Sequence, residues 1–426
     1  MLVNISMESQ MIKRFIALCL LLLAATQAQS RADDILVEGI PLPARFATSD
    51  FGNSDSPLIG AWFGKWDNVL SSILLIEAID DSNEISAIYG IASNAEQNIQ
   101  ASWQQLSGKL DGRQLRFNTE HFSLQATLSN SGKLKAIFAN ASGFAVYSRQ
   151  DLSDIINSDV PVRWSEAEQI MLTTGLQEDK RPIKLEAIVY APPGPGPFPL
   201  AVLNHGSTGS GTDASIAAYS FSNDWLAETL NEHGYLVAFV QRRGRGKSNG
   251  LYDEGFSENR KHGYSCDTER SLAGSERALI DIKAAVSALQ LQPNVDASPV
   301  LLLGNSRGGV LSIAYAGQNP NTTAGVVNFV GGWMGEPCKN ASTINKHLFQ
   351  QGGSYSGNTL WIYGEQDTYY SIEHSRANFD AFKAAGGKGE FHTVKVAGQN
   401  NGHWAMFIPP LWESQLNNYL DHLGSP

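Results

Sequence analysis

The sequence predicts two folded parts: a small antiparallel, barrel-like β domain over residues 54–150, then a larger α/β domain over 181–426 whose mostly parallel sheet is flanked by helices. Three observations lead there. From Ser54 to Arg149 short apolar runs alternate with turn-forming Gly, Asn and Asp. Beyond residue 180 the apolar runs become continuous, as in strands buried on both faces, and helical segments separate them. A chain of 426 residues that is 42% hydrophobic has enough material for two cores, which excludes a disordered polymer. Its formal charge of −11 also makes nucleic acid a poor partner, because the surface repels a phosphate backbone.

Residues 1–30 read as a signal peptide. Lys13 and Arg14 precede an apolar run from Phe15 to Ala25, and the small residues Ala28 and Ser30 come after it. The run is too short to span a bilayer, so no stable membrane insertion is expected after cleavage, and the protein is expected to be secreted or periplasmic. Residues 31–53 form an N-terminal extension.

In the β domain, strands are expected at Gly60–Trp66, Ser72–Ile79, Ile85–Tyr89, Leu115–Asn118, Phe122–Leu128, Leu134–Phe138 and Phe144–Tyr147. Tight turns separate several of them, at Asp80-Asp81-Ser82-Asn83, Asp111-Gly112, Ser129-Asn130-Ser131-Gly132 and Asn140-Ala141-Ser142-Gly143. Such spacing suits an antiparallel meander that closes on itself. Trp62 and Trp66 fit either a ligand site or an aromatic plug.

Residues 151–180 show no period and are expected to be a connector. Strands come next at Ile183–Tyr190, Leu200–Leu203, Tyr235–Val240, Val300–Leu303, Gly325–Val330, Leu360–Tyr363 and Phe391–Val396. The clearest helix runs from Ser275 to Leu291, with Leu279, Ile282, Val286 and Leu289 on one stripe and Asp281, Lys283 and Ser287 facing away.

The most informative stretch is Gly304-Asn305-Ser306-Arg307-Gly308, which succeeds the buried strand Val300–Leu303 and precedes an apolar helical pattern. A serine on so sharp a strand-to-helix turn needs neighbours without colliding side chains, and Gly304 and Gly308 meet that need. A serine hydroxyl requires a base oriented by a third group. Asp367 ends the strand Leu360–Tyr363, and His403 comes after the last expected strand. In a parallel sheet, Ser306, Asp367 and His403 would all emerge at the carboxyl edge. Glu365 is the rival acid, placed before the turn is complete. His374 and His392 fall within a helix and a strand, and His205 is read as structural. Backbone N–H groups of Arg307, just after the serine, and of Ser207, after His205-Gly206, are the expected donors to an oxyanion.

Residues from about Pro182 to Leu423 resemble the α/β-hydrolase family in this elbow, the His205-Gly206 turn, Asp367 and His403. The run Arg243-Gly244-Arg245-Gly246-Lys247-Ser248-Asn249-Gly250 and the pair Gly308-Gly309 look most similar to its dienelactone-hydrolase and prolyl-oligopeptidase-like branches. Gly60-Ala61-Trp62 ahead of a meander resembles lipocalin- or avidin-type barrels. The resemblance implies ester or peptide hydrolysis through an acyl-enzyme. Dienelactone hydrolases carry cysteine where this chain has Ser306, and the space before Pro182 is too small for the propeller of the oligopeptidases. An ester-cleaving enzyme acting on a small-molecule substrate is therefore the preferred expectation, with a short-peptide serine peptidase or an inert binding protein as alternatives.

Gly246-Lys247-Ser248 lacks the leading glycine of a phosphate loop, since Gln241 stands there, and His262 with Cys266 offers too few ligands for a metal. No cofactor is expected. Cys266 and Cys338 fit a disulfide between two loops over the active edge, worth about 4 kcal/mol, or two separate buried thiols. Trp333, Tyr369, Tyr370 and Trp404 flank the same edge and suit an aromatic substrate pocket or simple loop packing. Arg242, Arg243, Arg245 and Lys247 suit an anionic substrate, or solvation and pairing with Asp253 and Glu254.

Overall fold

The computed structural model describes residues 33–47, 56–120, 122–138, 143–158, 160–396 and 401–424. The expected signal peptide and the turn residues 140–142 lie outside them. The chain divides into two compact units, residues 1–166 and 167–426.

The first unit is a closed antiparallel barrel of eight strands, Gly60–Trp66, Leu70–Ile79, Glu84–Ile91, Ser102–Asp111, Gln114–Asn118, Ser123–Leu128, Leu134–Phe138 and Gly143–Gln150, the last pairing with the first. Alternate residues point inward, so Trp66, Tyr89, Phe117, Phe138 and Tyr147 fill the interior together with Leu74 and Leu106. The polar tips inside are satisfied: Trp66 Nε1 donates to the Tyr89 hydroxyl at 2.8 Å, and Ser72 Oγ meets the Tyr147 hydroxyl at 2.7 Å. Of the two roles open to Trp62 and Trp66, both side chains take the packed one, at 1% and 0% exposure. The strand Ser102–Asp111 escapes the sequence pattern because its second half alternates between exposed and half-buried positions with few apolar residues. The extension is integral to this unit, since the hairpin Ile35–Val37 with Ile40–Leu42 covers Phe63, Ile73, Leu75 and Ile88 on the outer face.

The second unit holds eight strands, β1 (Glu168–Glu178), β2 (Arg181–Tyr190), β3 (Leu200–Asn204), β4 (Leu236–Val240), β5 (Val300–Asn305), β6 (Thr323–Phe329), β7 (Asn358–Gly364) and β8 (Lys388–Val394). Their order is 1-2-4-3-5-6-7-8; β2 runs antiparallel to β1 and β4, and every other neighbouring pair is parallel. This arrangement is the α/β-hydrolase fold. The expected connector needs correction. It contains a helix, Leu152–Asn157, and the edge strand β1, whose mostly exposed residues and irregular register between Thr173 and Gln177 hide it from any simple period. The long helix runs from Thr268 to Leu289, starting nearly two turns earlier than expected on the N-cap Asp267, whose carboxylate accepts from Arg270 N. Asp281 on that helix does not face away: it is buried and pairs with Arg243 Nε at 2.6 Å, because a guanidinium from the β4 loop reaches the same side.

Candidate active site

Ser306 sits where β5 gives way to the helix Arg307–Gln318, with φ 54° and ψ −119°, a strained conformation for a residue with a side chain. Neighbouring strands hold it there: Ser306 N donates to Phe329 O at 2.9 Å, and Ser306 O accepts from Gly309 N and Gly332 N at 2.9 and 3.1 Å. Only glycine fits either side, since a Cβ on Gly304 would lie 2.1 Å from Gly308 O and one on Gly308 would lie 1.9 Å from Asn204 O.

The acid and the imidazole come from loops after β7 and β8. His403 Nδ1 meets Asp367 Oδ2 at 2.8 Å, and the Asp367 side chain is fully buried. Asp367 Oδ1 accepts from Tyr369 N and Tyr370 N at 2.7 and 3.1 Å, so the carboxylate is fixed at both oxygens. Asn401, which no sequence motif singles out, ties the two loops together: its Oδ1 accepts from Thr368 N at 3.3 Å and from His403 N at 3.0 Å. Glu365, the rival acid, is exposed. Among the described residues His403 Nε2 makes no hydrogen bond, leaving the nitrogen that a base would use open. Tyr370 connects the halves of the site. Its ring centroid lies 5.6 Å from that of His403, and the ring packs against Gly332, whose N–H donates to Ser306 O. Burial pushes the Tyr370 hydroxyl up, out of reach of neutral pH, so it remains a donor.

Arg307 N is at the first turn of its helix, where N–H groups lack intrahelical partners. Gly206 lies against the serine, since a Cβ on it would be 3.2 Å from Ser306 Cβ, and this brings Ser207 alongside. Neither the Arg307 nor the Ser207 amide has a hydrogen-bond acceptor among the described residues. Of the four aromatic candidates, Tyr369 and Tyr370 stand beside His403, the Tyr369 centroid at 4.6 Å. Trp404 is the next residue after His403 in the same turn. Trp333 is set back, 1% exposed, beneath the Arg307 guanidinium.

That guanidinium belongs to a buried cluster. Arg307 lies 3.6 Å from the ring centroid of Tyr264 and 4.2 Å from that of Trp333. Cys266 and Cys338 are disulfide-bonded and join the segments that carry these two rings. Glu254 accepts from Arg242 Nε at 2.5 Å and from Arg307 Nη1 at 3.5 Å. Burial alone would raise the Glu254 carboxyl, but Arg242, Arg307 and Arg245 outweigh it and hold it below the usual range. The basic run is therefore largely internal, with only Lys247 reaching outward, to Gln169 Oε1. Among the described residues no group of His, Cys, Asp or Glu is placed to hold a metal ion.

His205 supplies a pH signature. Burial pushes its imidazole well below the ordinary histidine range, and Arg242 and Arg245 push the same way. A histidine depressed in the folded state adds stability above its unfolded value, about 6.5, and loses it as pH falls. Unfolding free energy is expected to drop by up to about 1.4 kcal/mol per pH unit below that point. Urea titrations between about pH 7.5 and 5 should show this slope, and His205→Gln should flatten it.

A family model described as serine aminopeptidase, S33 matches residues 216–348. A search of curated proteins finds no match. Among solved structures, the Pyrococcus furiosus esterase Pf2001 is 16% identical with TM-score 0.42, over 61% of this chain and 90% of that one. Est1E from Butyrivibrio proteoclasticus, with ferulic acid bound, is 16% identical with TM-score 0.40, over 59% and 99%. Dipeptidyl peptidase 4 of Porphyromonas gingivalis is 15% identical with TM-score 0.42, over 82% and 49%.

Proposed function

We propose that the chain is an exported serine hydrolase that cleaves carboxylic esters through an acyl-enzyme. The observation that supports this is the fully buried Asp367 carboxylate bonded to His403 Nδ1, on loops that follow strands of the same parallel sheet whose β5 ends in the strained Ser306 elbow. Ser306 Oγ bonds to the acyl carbon while His403 Nε2 takes its proton, and the carbonyl oxygen receives the C=O π pair and becomes negative in the tetrahedral intermediate. Arg307 N and Ser207 N steady that oxygen. Collapse breaks the bond to the leaving alcohol, which receives the proton from His403. Water then repeats the attack on the acyl group and restores the serine. Trp404, Tyr369 and Tyr370 form the rim against which the substrate packs. The Cys266–Cys338 bridge accords with export to an oxidising compartment, periplasmic or extracellular, as does the signal-like N-terminus.

A second reading, a short-peptide serine peptidase, is favoured by the description of the family model that matches residues 216–348. Aryl esters and anilides with matched acyl groups separate the two. Ester turnover with a fluorophosphonate label on Ser306 is expected. Faster cleavage of the anilides would replace esterase by peptidase, and an unlabelled Ser306 would end both in favour of a binding protein.

A further inference from the structure

The Gly206 carbonyl oxygen is unusually crowded with donors. His205 Nδ1 lies 2.7 Å from it, Arg245 Nη1 3.2 Å and Arg242 Nη2 3.5 Å. The protonation of His205 is set by its other nitrogen. Arg242 N–H can only donate and reaches Nε2 at 3.1 Å; Nδ1 faces the Gly206 oxygen at 2.7 Å and, farther off, Arg245 Nη1 at 3.2 Å, so the shorter contact with an acceptor keeps the hydrogen of the neutral imidazole on Nδ1, given to the carbonyl. The same peptide unit carries the Ser207 N–H on its opposite side. A peptide group is planar, so donors that fix the C=O direction also fix the N–H direction, and drawing electron density onto the oxygen strengthens the N–H dipole.

The charges around this peptide do not balance. Arg242 and Arg307 share the carboxylate of Glu254, and Arg242 Nη1 also donates to His205 O at 2.9 Å. Arg245, 2% exposed, makes no ion pair among the described residues, and its Nε is buried without a partner. A buried guanidinium without a counter-ion costs stability, and it is retained here beside the atom on which negative charge would develop.

We propose that His205, Arg242 and Arg245 form a cationic clamp on the Gly206 carbonyl, which orients and polarises the Ser207 amide as an oxyanion donor. Arg245 is a positioning residue in this device, and the inference rests on the serine-hydrolase reading above.

The test compares wild type with Arg245→Met and Arg245→Lys on an aryl ester, with an aryl boronic acid as a mimic of the tetrahedral state. In Arg245→Met, kcat should fall about 10- to 100-fold, KM should change less than about twofold, and boronate affinity should weaken in step with kcat. Its melting temperature should match or exceed that of wild type, because an uncompensated buried charge has been removed. Lysine should recover part of the loss. Wild-type kcat in Arg245→Met overturns the clamp, as does a loss of kcat that comes with a lowered melting temperature and is shared by Arg245→Lys. If the methionine variant does not fold, Arg245→Lys decides alone: a partial fall in kcat at constant KM and unchanged melting temperature supports the clamp, and wild-type kcat, or a fall that comes with a lowered melting temperature, removes it. Fluorophosphonate labelling of wild type at Ser306 is the control on the reading beneath. Its failure would end that reading and the clamp together, whereas a labelled wild type with an indifferent Arg245→Met ends the clamp alone.

Discussion

Ser306→Ala is expected to lower kcat for ester hydrolysis by about six orders of magnitude, with KM nearly unchanged. The loss is this large because the substitution removes the only atom that forms the covalent bond and leaves the rest of the machinery idle. His403 would have no hydroxyl to deprotonate. The residual rate should still exceed that in water by about 10³ to 10⁴, since the Arg307 and Ser207 amides and the surface that binds the substrate persist. Alanine keeps the Cβ that serine already carries at φ 54°, so the elbow bears the same backbone strain and stability should change by less than about 1 kcal/mol. Steady-state kinetics at high enzyme concentration, beside a thermal melt, check both halves. A folded variant that turns over ester within a few fold of wild type would place the nucleophile elsewhere.

The elbow is legible in the sequence because its requirement is local. Gly304 and Gly308 flank the serine, and the structure shows backbone atoms where their side chains would stand. Asp367 and His403 are legible for a different reason: parallel strands deliver their succeeding loops to one edge, so order and strand context suffice. The buried ionic cluster is legible only in part. In the sequence Arg242, Arg243, Arg245 and Lys247 suit an anionic substrate, or solvation and pairing with Asp253 and Glu254, and the pair of Arg242 with Glu254 forms, whereas Asp281 reads as the outer face of a helix. The burial of the cluster, and the pairing of Arg243 with Asp281, depend on segments distant in the chain, which no local pattern encodes. Asn401 gives no signal for the same reason, since its role is to bridge two loops. The strands Ser102–Asp111 and Glu168–Glu178 are hidden by their exposed faces, where side chains are polar and only ladder hydrogen bonds mark the element.

Asp367→Asn should reduce kcat by about four orders of magnitude in a protein that folds normally, and the reason lies in which atoms the turn occupies. Oδ1 accepts from Tyr369 N and Tyr370 N, a task that an amide oxygen performs and an amide nitrogen does not. The asparagine is thereby forced to keep its oxygen in the turn and to present its NH₂ where Oδ2 faced His403 Nδ1. Two donors cannot share that contact. The imidazole must shed its Nδ1 hydrogen and carry the proton on Nε2, toward Ser306, where it can no longer act as a base. Stability should be nearly preserved because the turn bonds survive. The exposed Glu365 gives the matched control: Glu365→Gln should leave kcat within about twofold of wild type. If Asp367→Asn keeps kcat within about tenfold while Glu365→Gln does not, the acid has been misassigned, and the contact between Asp367 and His403 serves the fold of the two loops rather than the chemistry.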